Sequence, residues 1–177
     1  MKNNIVLIGF MGCGKSTVGK LLAAKTGYTL VDADSYIEQK ENMTINEIFA
    51  TKGEDYFRSI ETEVVKELSQ KEGLIVATGG GMVLKKENAD YLRSTGFCVW
   101  LKVSPETVLE RLRNDTTRPL LQRADKETAV KELMAAREPI YKAACHAQVC
   151  ADGNAEITAN SILLLFDESS GDTPPTP

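Results

Sequence analysis

Short apolar runs of strand length alternate along this chain with longer stretches of helical period, and that alternation confines the fold to βαβ units around a parallel sheet. The runs predicted as strands are 4–8, 29–31, 74–77, 97–103 and 147–150. The first and fourth lack polar alternation, as strands covered on both faces do, so they belong at the centre with helices on either side. Between the strands, 15–25 reads as a helix stopped by Gly27, and Thr44-Ile45-Asn46-Glu47 is a capping box opening a short helix. Residues 54–70 carry Phe57, Ile60, Val64 and Leu68 along one side of a longer helix. Ser104-Pro105-Glu106 supplies a cap and an N-terminal proline for a helix that should stop near Asn114. Residues 126–144 have helical period, with Pro139 expected to kink or divide the helix, and 155–166 form a last amphipathic helix.

Size and charge limit what such a chain can do. At 177 residues, 42% apolar and 26% charged, one domain is the expected unit, here residues 1–166. Residues 167–177, with three prolines and no apolar anchor, read as a disordered tail. Twenty-one basic against 25 acidic residues leave a net charge of -4, so no overall positive field draws the chain to nucleic acid or to an anionic membrane. Any anion must be met by a local arrangement. The longest apolar runs, 97–101 and 162–166, fall far short of the roughly 20 residues that span a bilayer. The apolar stretch 5–11 is broken by Gly9 and closely followed by Lys15, which suits a strand rather than a secretion signal. Cys13, Cys98, Cys145 and Cys150 form no C-x-x-C pair and read as free thiols of a reducing cytoplasm. With His146 the sole histidine, zinc and histidine-based catalysis are poor readings; His146 and Trp100 are expected to be structural.

Gly9-Phe10-Met11-Gly12-Cys13-Gly14-Lys15-Ser16 satisfies G-x-x-x-x-G-K-[ST] at every fixed position, directly after a predicted strand and at the start of a predicted helix. Such a loop turns backbone N–H groups around a polyphosphate, the helix start adds partial positive charge, Lys15 reaches the outer phosphates and Ser16 ligates magnesium. A glycine turn made only for packing would not need the lysine and the hydroxyl together. The ligand is therefore a nucleoside triphosphate, with Gly12, Cys13, Gly14, Lys15, Ser16 and Thr17 around it. The Cys13 thiol is read as a small residue at a permissive position.

Three further features sit where a second ligand would need them. Asp32-Ala33-Asp34 follows the second strand; if the chain stays extended, both carboxylates face the same crevice, although helix capping would explain the pattern equally well. Thr78-Gly79-Gly80-Gly81 follows the third strand and permits either a flexible turn or close approach of a ligand to the backbone. Residues 114–126 form a polar, arginine-bearing insertion between two helices, a candidate lid containing Arg118. Arg58 lies beside the apolar stripe of its helix and Arg137 precedes Glu138-Pro139-Ile140-Tyr141; solvated surface charge is the plainer reading of either taken alone.

Together the glycine loop, the D-x-D, the triple glycine and Arg118-Pro119-Leu120-Leu121 resemble the shikimate kinase family, as do I-N-E-I-F-A-T-K-G-E-D-Y-F-R over 45–58 and R-E-P-I-Y over 137–141. The likeness runs from Ile5 to about Val149. It implies a P-loop kinase fold of the α/β class, a three-layer sandwich with a five-stranded parallel sheet in the order 2-3-1-4-5 and a mobile lid. It also implies ATP-dependent phosphorylation of the 3-hydroxyl of shikimate with Mg2+, in aromatic amino-acid biosynthesis. By position, Lys15 resembles the phosphate-binding lysine, and Ser16 and Asp32 the direct and water-mediated magnesium partners. Asp34 resembles the aspartate on the substrate hydroxyls, and Arg58 and Arg137 the pair on the shikimate carboxylate. Gly80 and Gly81 would close on the ring, with Ile45, Phe49, Phe57 and Leu120 shaping the apolar wall and Glu61 steadying the arginines. Arg118 looks like the lid arginine across the phosphates, and Arg111 like the residue stacking on adenine. Asp152-Gly153-Asn154 lacks an arginine that some members place against the adenine.

Phosphoryl transfer suits this inventory, because it needs positioning and charge neutralisation more than a histidine or a cysteine nucleophile. An ordinary carboxylate is ionised at neutral pH and weakly basic, so Asp34 is expected to orient the hydroxyl and take its proton late. The alternatives are another small-molecule kinase of this fold, acting on gluconate or a nucleoside monophosphate, and a nucleotide-dependent switch without transfer chemistry. No N-K-x-D guanine-reading motif is present. The expected state is a cytoplasmic monomer whose partners are shikimate and ATP, with no nucleic acid and no membrane.

Overall fold

The computed structural model of the chain describes residues 3–114 and 124–170. Five parallel strands, β1 (Ile5–Ile8), β2 (Thr29–Asp32), β3 (Leu74–Ala77), β4 (Phe97–Lys102) and β5 (Ala147–Cys150), form one sheet in the order β2-β3-β1-β4-β5. β1 is buried along its whole length, as its unbroken apolar run requires. Its neighbours lie on opposite sides, β3 to one and β4 to the other, so the strand order reverses at its carboxyl end. That is where an open α/β sheet leaves a crevice for ligands. The register sets Leu7 and Asp32 both level with Ala77, which brings the loops leaving β1, β2 and β3 to one edge.

The helices are α1 (Lys15–Thr26), α2 (Ala33–Glu41), α3 (Ile45–Leu68), α4 (Lys86–Thr95), α5 (Pro105–Arg111), α6 (Lys126–Ala144) and α7 (Ala155–Ser170), with a 3₁₀ turn at Met82–Leu84. α1 packs against α7 and against β2 and β3, while α3, α4 and α6 pack in succession, with α4 and α6 against β4. The Thr44 capping box forms as expected: its hydroxyl accepts from the Glu47 N–H and the Glu47 carboxylate accepts from the Thr44 N–H. Gly53, at φ 83° and ψ 172°, breaks α3 between the predicted short and long segments.

Four local expectations need correction. Asp34 is not in extended chain: it occupies the first turn of α2, and Asp32 is the N-cap, its Oδ1 accepting from the Ser35 N–H at 3.1 Å. α4 has no counterpart among the predicted helices, because it buries only Asn88 and Leu92 and so leaves little apolar period to read. α6 is a single helix through Pro139. The proline forfeits one backbone bond, to the carbonyl four residues back, and buried Tyr141 and Ala144 keep the following turn in place. α7 continues to Ser170, so 167–170 are helical where a disordered tail was expected. His146 and Trp100 behave structurally: His146 Nδ1 accepts from the Cys98 N–H at 3.0 Å with its ring stacked on Phe97, and Trp100 is buried. No disulfide joins any of the four cysteines.

Candidate active site

The loop between β1 and α1 has the shape that its glycines permit. Gly12 and Gly14 take φ values of 75° and 95°, a region that side chains disfavour, and so the backbone curls before the helix starts. Lys15 Nζ donates to the carbonyls of Gly9 at 2.8 Å and Phe10 at 3.0 Å, which ties the head of α1 to the loop. A cavity of about 260 Å3 opens there, lined among others by Gly12, Lys15, Ser16, Asp32, Asp34 and Gly80. A second, of about 200 Å3, lies between the start of α1 and the β5–α7 connection, walled by Cys13, Gly14, Thr17, Arg111, Gly153 and Thr158. Arg111 donates to Gly12 O at 3.2 Å and to Ala151 O at 2.7 Å, so its guanidinium joins the loop to the end of β5. Cys13 is buried, and its N–H donates to Phe10 O.

Ser16 Oγ donates to Asp32 Oδ2 at 3.0 Å. Among the described residues no group of three or more His, Cys, Asp or Glu gathers for a metal. One hydroxyl beside one carboxylate is the protein share that suits a magnesium ion completed by phosphate oxygens and water. The residues present therefore fit a magnesium–nucleotide complex.

The triple glycine organises the other half of the site. A Cβ on Gly79 would lie 2.5 Å from Asp34 Oδ1; on Gly80, 3.5 Å from the Met11 backbone nitrogen and 3.9 Å from Arg137 Nη1; on Gly81, 3.0 Å from Arg58 Nη1. Three successive backbone positions thus each face a different charged side chain, from α2, α6 and α3 respectively, and the middle one also abuts the phosphate loop. Side chains here would fill the space these groups share.

Arg58 and Glu61 share one face of α3, with Nη1 donating to Oε2 at 2.6 Å, and Arg58 Nη2 reaches the more exposed Glu54 at 3.2 Å. Glu61 is only 1% exposed. Burial pushes its carboxyl above the ordinary carboxylate range, against the opposing pull of Arg58. Of the predicted apolar wall, Phe57 is buried and its ring meets exposed Phe49 at a tilt, with centroids 4.7 Å apart, and Ile45 packs at the edge of the core. Arg118 and Leu120, with most of the predicted lid, lie outside the described residues.

Three residues at the site were given no role of their own from the sequence, Gly79 having been read only as part of the triple glycine. Gly79 is closest to Asp34 of the three glycines, and Leu112 stands over Gly12, where a Cβ would meet its Cγ at 3.0 Å. Tyr141 donates its hydroxyl proton to Gly80 O at 2.7 Å. Its spacing of four from Arg137 within a predicted helix was the available signal.

The shikimate kinase family model matches residues 11–166 of this chain, reaching into α7, past the end of the stretch that carried the sequence resemblance. A shikimate kinase of Synechococcus sp. (strain CC9902) is 47% identical over 164 residues, covering 92% of this chain and 85% of that protein. The solved shikimate kinase of Acinetobacter baumannii, in complex with shikimate, superposes with a TM-score of 0.89 at 38% identity, covering 94% of each chain. A gluconokinase of Sinorhizobium meliloti 1021 reaches a TM-score of 0.56 at 17% identity, a likeness of fold alone. Agreement of this extent in sequence and in backbone means that the chain belongs to the shikimate kinase family, and that it is a kinase using ATP and magnesium to phosphorylate shikimate.

Proposed function

We propose that, in transferring the γ-phosphoryl group of ATP to the 3-hydroxyl of shikimate, this kinase holds the acceptor between Asp34, Arg58 and Arg137 over the Gly79–Gly81 backbone. The observation that supports this most is the run of three glycines facing those three side chains in turn, with Gly80 against the phosphate loop. A planar guanidinium pair matches a carboxylate bidentately, and an acid at the opposite end matches ring hydroxyls. Gluconate also carries a carboxylate and hydroxyls, but nothing beyond fold connects this chain to a gluconokinase.

The chain's own groups divide the work. Gly12, Gly14 and Lys15 surround the phosphates, with Thr17 and Cys13 forming the floor and Arg111 flanking the space that fits the adenine. Ser16 and Asp32 would hold the magnesium ion, which would supply positive charge against the phosphates. Asp34 accepts a hydrogen bond from the attacking hydroxyl and fixes its line of approach; its proton leaves late, as suits a transition state with little covalent demand on a base. Glu61 keeps Arg58 extended toward Gly81. Arg118, on its sequence position alone, is assigned to the charge that develops on the transferring group. A closed site also keeps water from taking the phosphoryl group. A cytoplasmic monomer remains the reading taken from the sequence; among the described residues no helix is long and apolar enough to cross a membrane.

Asp34→Asn separates this reading from simple nucleotide binding. Turnover is expected to fall by two orders of magnitude or more, while calorimetric ATP affinity stays near that of the unaltered chain. Near-normal turnover removes Asp34 from the reaction.

A further inference from the structure

Tyr141 is only 2% exposed, with its ring against Trp100 at 6.1 Å between centroids. Packing alone would be served by phenylalanine. The hydroxyl instead crosses from α6 to the glycine loop and donates to Gly80 O at 2.7 Å, over 61 positions of sequence. A phenol has one proton to give and lone pairs left over. Those lone pairs have a neighbour, because Arg137 lies one turn earlier on the same face of α6, and a Cβ on Gly80, whose carbonyl the Tyr141 hydroxyl meets, would lie 3.9 Å from the arginine's Nη1. Arg137 is also backed by the Phe10 ring, with Cζ 5.6 Å from the centroid, and its Nη1 points to the space above Gly80. Burial raises the Tyr141 phenol above its ordinary value despite Arg137, which keeps it protonated and donating at neutral pH.

We infer that Tyr141 is a positioning residue for the acceptor carboxylate: its hydroxyl, set between the Gly80 carbonyl and the Arg137 guanidinium, fixes the arginine relative to the glycine loop. Among the described residues, the Tyr141 hydroxyl is what joins α6 to the Gly80 carbonyl, and Phe10 limits how far the guanidinium tilts. The role rests on Arg137 meeting the carboxylate, as proposed above. A residue that acts through Arg137 should affect acceptor binding, and only for acceptors that carry the carboxylate. It should leave nucleotide binding alone, because the Tyr141 hydroxyl meets the phosphate loop only through Gly80.

Steady-state kinetics of Tyr141→Phe provide the test, with Arg137→Lys measured beside it. Tyr141→Phe is expected to raise the shikimate KM about five- to tenfold, the effect of one hydrogen bond, with the ATP KM within about twofold and kcat changed less than the shikimate KM. An acceptor analogue with a hydroxymethyl group in place of the carboxylate should bind the variant and the unaltered chain alike. Trp100→Phe disturbs the same ring contact without touching the hydroxyl, and should lower thermal stability while leaving the shikimate KM within about twofold. 4-Aminophenylalanine introduced at position 141 restores the donor to Gly80 O but is a poor acceptor for Arg137, because its lone pair is delocalised into the ring; it should recover stability lost in Tyr141→Phe while the shikimate KM stays raised, which keeps the test open even if Tyr141→Phe folds poorly. An unchanged shikimate KM in Tyr141→Phe, equal losses for both acceptors, or a normal shikimate KM with the amine overturns the inference. If Arg137→Lys leaves the shikimate KM unchanged, the carboxylate reading itself fails; if only Arg137→Lys raises it, the carboxylate reading stands and the role of Tyr141 falls.

Discussion

Gly79 stands so close to Asp34 that a Cβ on its backbone would lie 2.5 Å from Oδ1. The obstacle is the far end of a side chain rather than backbone, and Gly79 is not among the glycines at positive φ, so alanine fits there once the carboxylate swings aside. Gly79→Ala should therefore fold with little change in thermal midpoint. Turnover should fall about a hundredfold, the usual effect of moving an orienting group by about an ångström. A large loss of stability with normal turnover in the folded fraction would mean that the glycine serves packing and not the placement of Asp34.

Glu61→Gln tests the buried end of the arginine pair. Glutamine keeps an acceptor oxygen for Arg58 but removes the charge, leaving exposed Glu54 as its charged partner among the described residues, so the shikimate KM should rise about five- to tenfold. Stability should show a separate signature. The Glu61 carboxyl titrates above its ordinary value of 4.5 in the fold, so the proton is bound more tightly folded than unfolded. The resulting stabilisation is complete below the unfolded value and is lost as pH rises through the folded one. The thermal midpoint of the unaltered chain minus that of Glu61→Gln should therefore decrease from about pH 4 to neutrality. An increase over that range would show that Arg58 outweighs burial at Glu61.

Much of this was legible because the phosphate loop and the parallel sheet are local statements. Apolar runs of strand length give β1 to β5 nearly to the residue, and Gly9 to Ser16 carries its chemistry in consecutive positions. The acceptor site is legible only through resemblance, since Asp34, Arg58 and Arg137 come from three helices and no periodicity announces that Gly79, Gly80 and Gly81 will each face one of them. Asp34 shows why. D-x-D after a strand allows two readings, and what decided for the helix was the bond from the Ser35 N–H to Asp32, a cap that precedes a segment with little apolar period. α4 was lost for the same reason, and Tyr141 because a buried tyrosine in a core helix looks like packing until its hydroxyl partner is known.

Asp32 both caps α2 and receives the Ser16 hydroxyl, and the two uses separate on substitution. Asp32→Asn keeps an acceptor oxygen for the Ser35 N–H but removes the negative charge beside the metal. Half-saturating Mg2+ in turnover assays should rise about tenfold or more, with the thermal midpoint nearly unchanged, and excess Mg2+ should restore part of the rate. Chelation should abolish turnover in both chains. An unchanged Mg2+ requirement would leave Asp32 as a helix cap alone.

Recognition of the acceptor depends on Arg58 and Arg137 meeting a carboxylate beside the phosphate loop. The direct measurement is ADP release with ATP and Mg2+ over shikimate, gluconate and nucleoside monophosphates, in the unaltered chain and in the double variant Arg58→Ala, Arg137→Ala. The expected result is rapid release with shikimate alone, lost in the double variant while its ATP binding persists. Comparable release with gluconate or a nucleotide acceptor, or undiminished kcat/KM for shikimate in the double variant, would contradict it.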